Sequence, residues 1–365
     1  MLRCCRSRSN LSPQEVSAMR TVHRRAAHAV SAVLLAGALV LGARPAAAQT
    51  SVGGVAYAQF NYQLSDTANH TNAFDVTRAY VNVMGKFGGG VGTRVTGDIY
   101  RNTDGSLAYR LKYAYVTWTP EGSPLTFKLG QMHTAWVDWE ESLWNYRMQG
   151  AVAVDRNGYM SSSDFGAGVD GNFNHDQFNF QAGIYNGENY NKATGDQRKD
   201  LQARASYRLL ATDDGSRVGG LRLTGYAQIG KPTTGGQRNR LLGMLSYRSN
   251  DITLAAEYVA ATDSTTGPAA VAQRKGRVIS AYGVFHVPST RFSVLGRVDA
   301  VDPNTASAST GDKQTRLIVG AAYHLSPNLR LLVDVDHVGY ESGHTATAAE
   351  KVQQTALLLQ AMFTF

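Results

Sequence analysis

The sequence predicts an all-β fold, a sixteen-stranded antiparallel transmembrane β-barrel with an inward-folding third long loop. Three observations carry that expectation. Segments of alternating character recur along the chain with Gly, Asn, Asp and Pro between them. The gaps separating those segments alternate between long and short. The chain also stops on "LLLQAMFTF", Leu357 to Phe365, a strand-like run closing on an aromatic where chain ends are usually polar and frayed.

The N-terminal 48 residues form a separate element. From Met19 the chain reads Arg20, Arg24 and Arg25, then an apolar run from Ala29 to Ala43, then Ala46-x-Ala48. That is the three-part pattern of a secretory signal peptide cut after Ala48, and the apolar run falls short of the ~20 residues a spanning helix needs. Residues 1–18 read as an upstream start extension, with Met19 as the initiator. Removing residues 1–48 takes away seven of 36 Lys and Arg and one of 28 Asp and Glu, which lowers the formal charge from +8 to +2. Whole-molecule charge therefore makes no case for nucleic acid. Cys4 and Cys5, the two cysteines, leave with the leader, so the remaining chain is no disulfide scaffold. Mean hydropathy is −0.26, a value shared by water-soluble proteins and by barrels in which only alternate residues face lipid.

The pattern of the remaining chain favours the barrel. The expected strands are 51–63, 75–87, 91–101, 109–119, 125–131, 165–173, 177–186, 201–210, 221–230, 240–248, 252–261, 276–287, 291–301, 316–325, 328–340 and 353–365. They take more than half of residues 49–365, where a soluble domain has roughly a quarter. Gaps after odd-numbered strands are 11, 7, 33, 14, 9, 14, 14 and 12 residues; those after even-numbered strands are 3, 5, 3, 10, 3, 3 and 2. Long loops at one end and tight turns at the other are the habit of outer-membrane barrels, and only the ten-residue gap around "LATDDGSRVGG" breaks it.

Alternation also assigns the faces. In "YRLKYAYVTWT" the apolar face is Tyr109, Leu111, Tyr113, Tyr115 and Thr117; in "LQARASYRLL" it is Leu201, Ala203, Ala205, Tyr207 and Leu209. Apolar out and polar in inverts a soluble barrel, and sixteen strands leave a water-filled lumen where about eight would be filled by side chains. The inward bases are Arg78, Lys86, Arg94, Arg110, Lys112, Lys128, Arg204, Arg208, Arg222, Arg240, Arg248, Arg297, Arg316 and Arg330; the inward acids are Asp98, Asp170, Glu257, Asp299, Asp334 and Asp336. Such a wall biases a pore toward small anions, unless its charges merely pair with one another.

The 33-residue gap, "MHTAWVDWEESLWNYRMQGAVAVDRNGYMSSSD", is the expected constriction loop. Trp136, Trp139 and Leu143 fall at helical spacing, so a short helix folding inward would press its aromatics to the wall and present Asp138, Glu140 and Glu141 to the lumen, with Arg147 just after. The tryptophans serve either as anchors for that loop or as part of a sugar-binding path. In the last strand Leu357, Leu359, Ala361, Phe363 and Phe365 form the lipid face, and pairing with the first strand closes the barrel.

No catalytic or metal-binding constellation emerges: the nine His are scattered, with no H-E-x-x-H, and no cofactor is expected. Within channels the alternative is a non-selective or sugar-preferring pore; Ser161 to Asp164 with His133 leaves room for a barrel-borne hydrolase, and a structural surface protein is a further alternative. The expectation is a non-enzymatic channel.

Four stretches then point further. "DVTRAYVNVMGKF", "YAYVTWTPEGSPLTFKLGQ", "SSDFGAGVDG" and "FQAGIYNGEN" resemble, in order and spacing, the phosphate-selective porin O and P family. The resemblance implies an outer-membrane diffusion channel of a Gram-negative-type bacterium, a homotrimer in contact with outer-membrane lipid, some members favouring phosphate. It carries over Arg78, on the family's second strand, and Gly130-Gln131. After Gln131 the family continues toward a Pro-Phe pair, whereas this chain reads "MHTAWVDWEES". The terminal Phe363 and Phe365 also resemble the signal that the outer-membrane assembly machinery reads on its clients.

Overall fold

Sixteen strands form, each within a few residues of its expected place. The computed structural model describes residues 49–192, 196–267, 270–305 and 311–365; the expected leader, 1–48, lies outside them. The strands are β1 Gln49–Gln63, β2 Asn72–Lys86, β3 Val91–Arg101, β4 Leu107–Trp118, β5 Leu125–His133, β6 Ser163–Phe173, β7 Phe178–Tyr185 and β8 Asp200–Leu210. They continue with β9 Gly220–Ile229, β10 Gln237–Arg248, β11 Ile252–Ser264, β12 Arg274–His286, β13 Phe292–Asp302, β14 Gln314–Ser326, β15 Leu329–Tyr340 and β16 Thr355–Thr364. Each pairs antiparallel with its sequence neighbours, and β16 pairs with β1 from Val55 opposite Thr364 to Gln63 opposite Ala356. Closure leaves no edge of unpaired amides, which hydrocarbon would penalise by several kcal/mol per group.

The period-two pattern becomes two faces of opposite chemistry. On β8, Leu201, Tyr207 and Leu209 are exposed on the outside, while Gln202, Arg204 and Ser206 are buried within. Leu223, Leu241, Leu245, Leu254, Val294, Val319 and Val333 continue the exposed apolar band, whereas Arg222, Thr224, Ser280, Arg297 and Asp299 are buried. Water would not favour that outer surface; lipid does.

One strand departs from simple alternation. Thr96 lies opposite Tyr113 and Gly97 opposite Leu111, so Lys112 is an extra residue, a β-bulge. An extra residue moves all that follows to the other face. Tyr109 and Leu111 keep the outer side, but Tyr113 is buried, and Val116 and Trp118 now point out. The expected lipid face of β4 is thus corrected: Tyr115 packs edge-on to His133 with centroids 5.8 Å apart, and Thr117 pairs with the inward Lys128. The Gly130-Gln131 dipeptide holds the bulge. Gln131 Nε2 donates to the carbonyls of Leu111 and Lys112 at 2.8 and 2.9 Å. Gly130 sits at φ 126°, where a Cβ would lie 2.3 Å from the Ala114 carbonyl oxygen.

Candidate functional site in the barrel lumen

Between β5 and β6 the chain makes two short helices, α1 Val137–Trp144 and α2 Ala153–Arg156. Asp138 and Glu140 stand in the first turn of α1, favourable to the helix dipole, and the helix ends on Asn145 in the left-handed conformation at φ 45°. Its three tryptophans are completely buried. Trp136 meets Tyr226 of β9 at 5.8 Å, Trp139 lies under Arg204 of β8 at 4.2 Å, and Trp144 packs edge-on against Tyr282 of β12 at 5.1 Å. Further along, Tyr146 lies under Arg330 at 4.6 Å, and the Met148 carbonyl accepts from Gln360 of β16 at 2.9 Å. The tryptophans act as anchors, each cation–π contact adding about 0.5–2 kcal/mol.

The turn that broke the alternation of gap lengths also touches α1. Arg217, in the 211–219 connection, donates through Nη2 to Asp138 Oδ2 at 2.6 Å and to Ser142 Oγ at 2.8 Å. Asp214 of the same turn pairs with Arg248 at 2.7 Å, and Arg248 in turn donates to the Ser142 carbonyl at 2.5 Å. Burial pushes the Asp138 carboxyl up, but Arg217 and His133 outweigh it and hold Asp138 far below the usual range. Asp138 is therefore charged and already matched.

The fourteen inward bases divide by partner. Arg204, Arg222, Arg297 and Arg330 lie over aromatics of the 134–162 segment, and Arg240 and Arg248 donate to its carbonyls. Arg78 pairs with Asp98 at 3.0 Å, Lys128 with Asp170, and Arg316 with Asp336 at 2.7 Å. Arg297 is also paired, with Asp299 at 2.8 Å, and Arg240 with Asp263 at 2.9 Å. Arg94 donates to Asn82 at 2.9 Å, and Arg208 to the His175 carbonyl at 3.0 Å. Lys86 is exposed at the short-turn end of β2. Arg110 and Lys112 have no carboxylate partner among the described residues: Arg110 donates to the Tyr190 hydroxyl at 2.8 Å and Lys112 to Ser162 Oγ at 2.5 Å.

Groups of the 134–162 segment lie near them. Arg147 pairs with Glu141 and, at 3.2 Å, with Asp155. Asp155 lies within electrostatic reach of Lys112 and Arg78, and Tyr57 within reach of Arg147, Glu141 and Arg78. A band of mixed charge with an excess of cations results, edged by the hydroxyls of Tyr57, Tyr80 and Tyr190. Sequence reasoning missed these tyrosines, Asp155 and Arg217; the Arg–x–Tyr pattern of Arg78 and Tyr80 on one face of β2 is the signal that could have found one of them.

One expected lumen acid is misplaced. Glu140 is fully buried, accepting from Trp136 Nε1 at 3.1 Å and facing Glu257, because its position on α1 turns it to the wall with the tryptophans. The hydrolase arrangement does not assemble either. Ser162 accepts from Lys112, Ser163 Oγ donates to the Lys112 carbonyl, and the His133 imidazole lies by Asp138 and Arg94, with no side-chain hydrogen bond to these serines among the described residues.

The profile of the family described as phosphate-selective porin O and P matches residues 52–287. The chain belongs to this porin family. The match takes in β1 through β12, including the bulge, its Gly130-Gln131 clamp and the whole 134–162 segment of the porin. Solved structures share its fold. An anion-selective porin from Comamonas acidovorans superposes with a TM-score of 0.64 at 12% identity, covering 87% of this chain and 100% of that one. OmpF of Salmonella typhi, solved with daunomycin, gives 0.63 at 12% identity, with 87% and 97% covered. The trimer form of OmpT, an outer membrane protein of Vibrio cholerae, gives 0.57 at 11% identity, with 87% and 100% covered. No curated protein sequence matches the porin.

Proposed function

We propose that the chain is an outer-membrane porin passing small hydrophilic solutes by passive diffusion, with a mild preference for anions, phosphate among them. One observation carries the sign of that preference: Arg110 and Lys112 lack a carboxylate partner among the described residues, while the acids nearest them are already bound to Arg78 and Arg147. The 134–162 segment folds into the lumen and sets the size limit, bringing Glu141, Arg147 and Asp155 within electrostatic reach of Arg78 and Lys112. Glu141 and Asp155 moderate the field, which is why the preference is mild. The anion-selective character of the Comamonas porin supports the same sign.

The site is a channel with no catalytic step. It works as a homotrimer in the outer membrane, as the trimer form of the Vibrio protein suggests. An apolar groove of about 820 Å³ on the outside of β13–β16, β1 and β2, lined by Phe60, Phe74, Phe292 and Leu359 among others, supports a contact between copies. Residues 1–48 direct export, and Phe363 and Phe365 present the chain to the assembly machinery. Single-channel recording in a salt gradient tests the whole reading. A reversal potential shifted to the anion side is expected; a cation-side shift overturns the preference, and absence of conductance overturns the pore.

A further inference from the structure

A second polar space lies toward the long-loop end of the barrel. A cavity of about 450 Å³ sits between the ends of β8 to β12 and residues 157–161, within the range that holds small ligands. Most of its charge is internally matched. Asp200 accepts twice from Arg238, at 3.0 and 2.9 Å, and Arg240 donates to Asp263 at 2.9 Å.

Asp164 also lines the cavity and has no ion pair among the described residues, but its carboxylate accepts from the backbone N–H of Gly187 and Phe165, both at 2.7 Å; three further lining groups are left over. Gln202 is only 6% exposed, and its Oε1 is buried with no donor among the described residues. A buried amide oxygen in that state calls for a hydroxyl or amine donor. Arg274 and Lys192 are exposed cations without an ion pair among the described residues, and both line the same cavity. Free cations of this kind call for a carboxylate or another anion. Gln202 stands on β8 and Arg274 on β12, four strand spacings or roughly 19 Å along the wall. The chord across a curved wall is shorter, and each side chain reaches inward. A ligand that meets both groups needs a hydroxyl held several atoms away from its carboxylate, which a two- or three-carbon acid does not supply.

We propose that this cavity binds a small polyhydroxylated carboxylate, a sugar acid whose carboxylate meets Arg274 and Lys192 while a hydroxyl donates to Gln202 Oε1. The site rests on the barrel and not on its conductance. It adjoins the Arg110 and Lys112 cluster without sharing its cations: Ser161 and Asn189 line the cavity, next in the chain to Ser162 and Tyr190, which accept from Lys112 and Arg110.

The test is calorimetric titration of the folded full-length barrel in detergent with D-glucuronate, D-glucose and propionate. Glucuronate should bind roughly tenfold or more tightly than either of the others, the size of one charge-assisted hydrogen bond. Arg274→Gln and Lys192→Gln together should lower glucuronate affinity by about the same factor and leave glucose unchanged. Gln202→Leu should weaken glucuronate and glucose but not propionate. Both cations are exposed, so if Gln202→Leu fails to fold the double variant still decides. Equal affinity for glucuronate and propionate, unchanged affinity in the double variant, or no binding heat at all overturns the proposal. Conductance in KCl, recorded on the same preparation, separates the two readings: conduction without glucuronate binding sinks this inference alone, and binding without conduction sinks the porin reading alone.

Discussion

The indole Nε1 of Trp136 donates to Oε2 of Glu140 at 3.1 Å, one turn along the same helix, and so fixes a carboxyl that has no water around it. Burial, and then the charge of Glu257, push the Glu140 carboxyl well above its ordinary 4.5. An acid raised in the folded state favours folding only while protonated. Its contribution is therefore complete below about 4.5 and declines as pH rises from there toward the folded value. Glu140→Gln keeps an acceptor for Trp136 and removes the ionisation. We expect the variant to gain roughly 1–3 kcal/mol over the native chain at neutral pH and nothing in acid. Thermal unfolding midpoints across that pH range provide the check, and parallel curves for the two proteins would contradict it.

Arg110 and Lys128 are both inward bases, yet only Lys128 is neutralised, by Asp170. Arg110→Gln should move the reversal potential toward the cation side, whereas Lys128→Gln should move it less, since it releases an acid as it removes a base. Paired bilayer recordings at low salt, where screening is weak, decide the order. An equal shift from both would mean that pairing does not govern the wall's field.

The bulge at Lys112 makes a prediction about facing. The only cysteines, Cys4 and Cys5, fall within the expected leader, so single cysteines can be read cleanly in the exported chain. Thr117→Cys should react with a membrane-impermeant maleimide roughly tenfold faster than Val116→Cys, because a thiol in lipid stays protonated and out of reach. The reverse order would restore the unbulged register.

Closure depends on a small residue. Gly54 N donates to the Phe365 carbonyl at 2.9 Å and Phe365 N to the Gly54 carbonyl at 3.1 Å, while a Cβ at Gly54 would fall 2.3 Å from the Phe365 ring and 2.5 Å from the Tyr80 carbonyl oxygen. Gly54→Val and deletion of Phe365 should both lower the folded fraction seen on unheated gels. Phe365→Ala, which keeps the backbone bonds, should lower it less. An unchanged yield after deletion would remove Phe365 from any part in assembly.

The strands were legible because period two and turn residues are local, and sixteen segments with sorted gaps leave few architectures. The bulge was not, since Tyr113, Tyr115 and Thr117 are amphipathic enough to suit either face and Lys112 looks like an ordinary inward base. What told of it was the Gly130-Gln131 pair, whose purpose appears only across the strand. The helix of the 134–162 segment was legible from Trp136, Trp139 and Leu143. The burial of Glu140 was not, because helical spacing gives a face but not the partner that covers it. Arg217 stayed hidden in a turn whose excess length was visible and whose target was not.

The hydrogen bond from Gln360 to Gln59 joins side chains 301 positions apart. Pairing so distant in sequence carries a loop-closure entropy cost that grows slowly with the length of chain between the partners. Until β16 arrives, β1 presents a row of bare amides that lipid will not accept. The seam therefore ties the first strand to the last: without β16, one edge of β1 would keep bare amides that hydrocarbon penalises by several kcal/mol each.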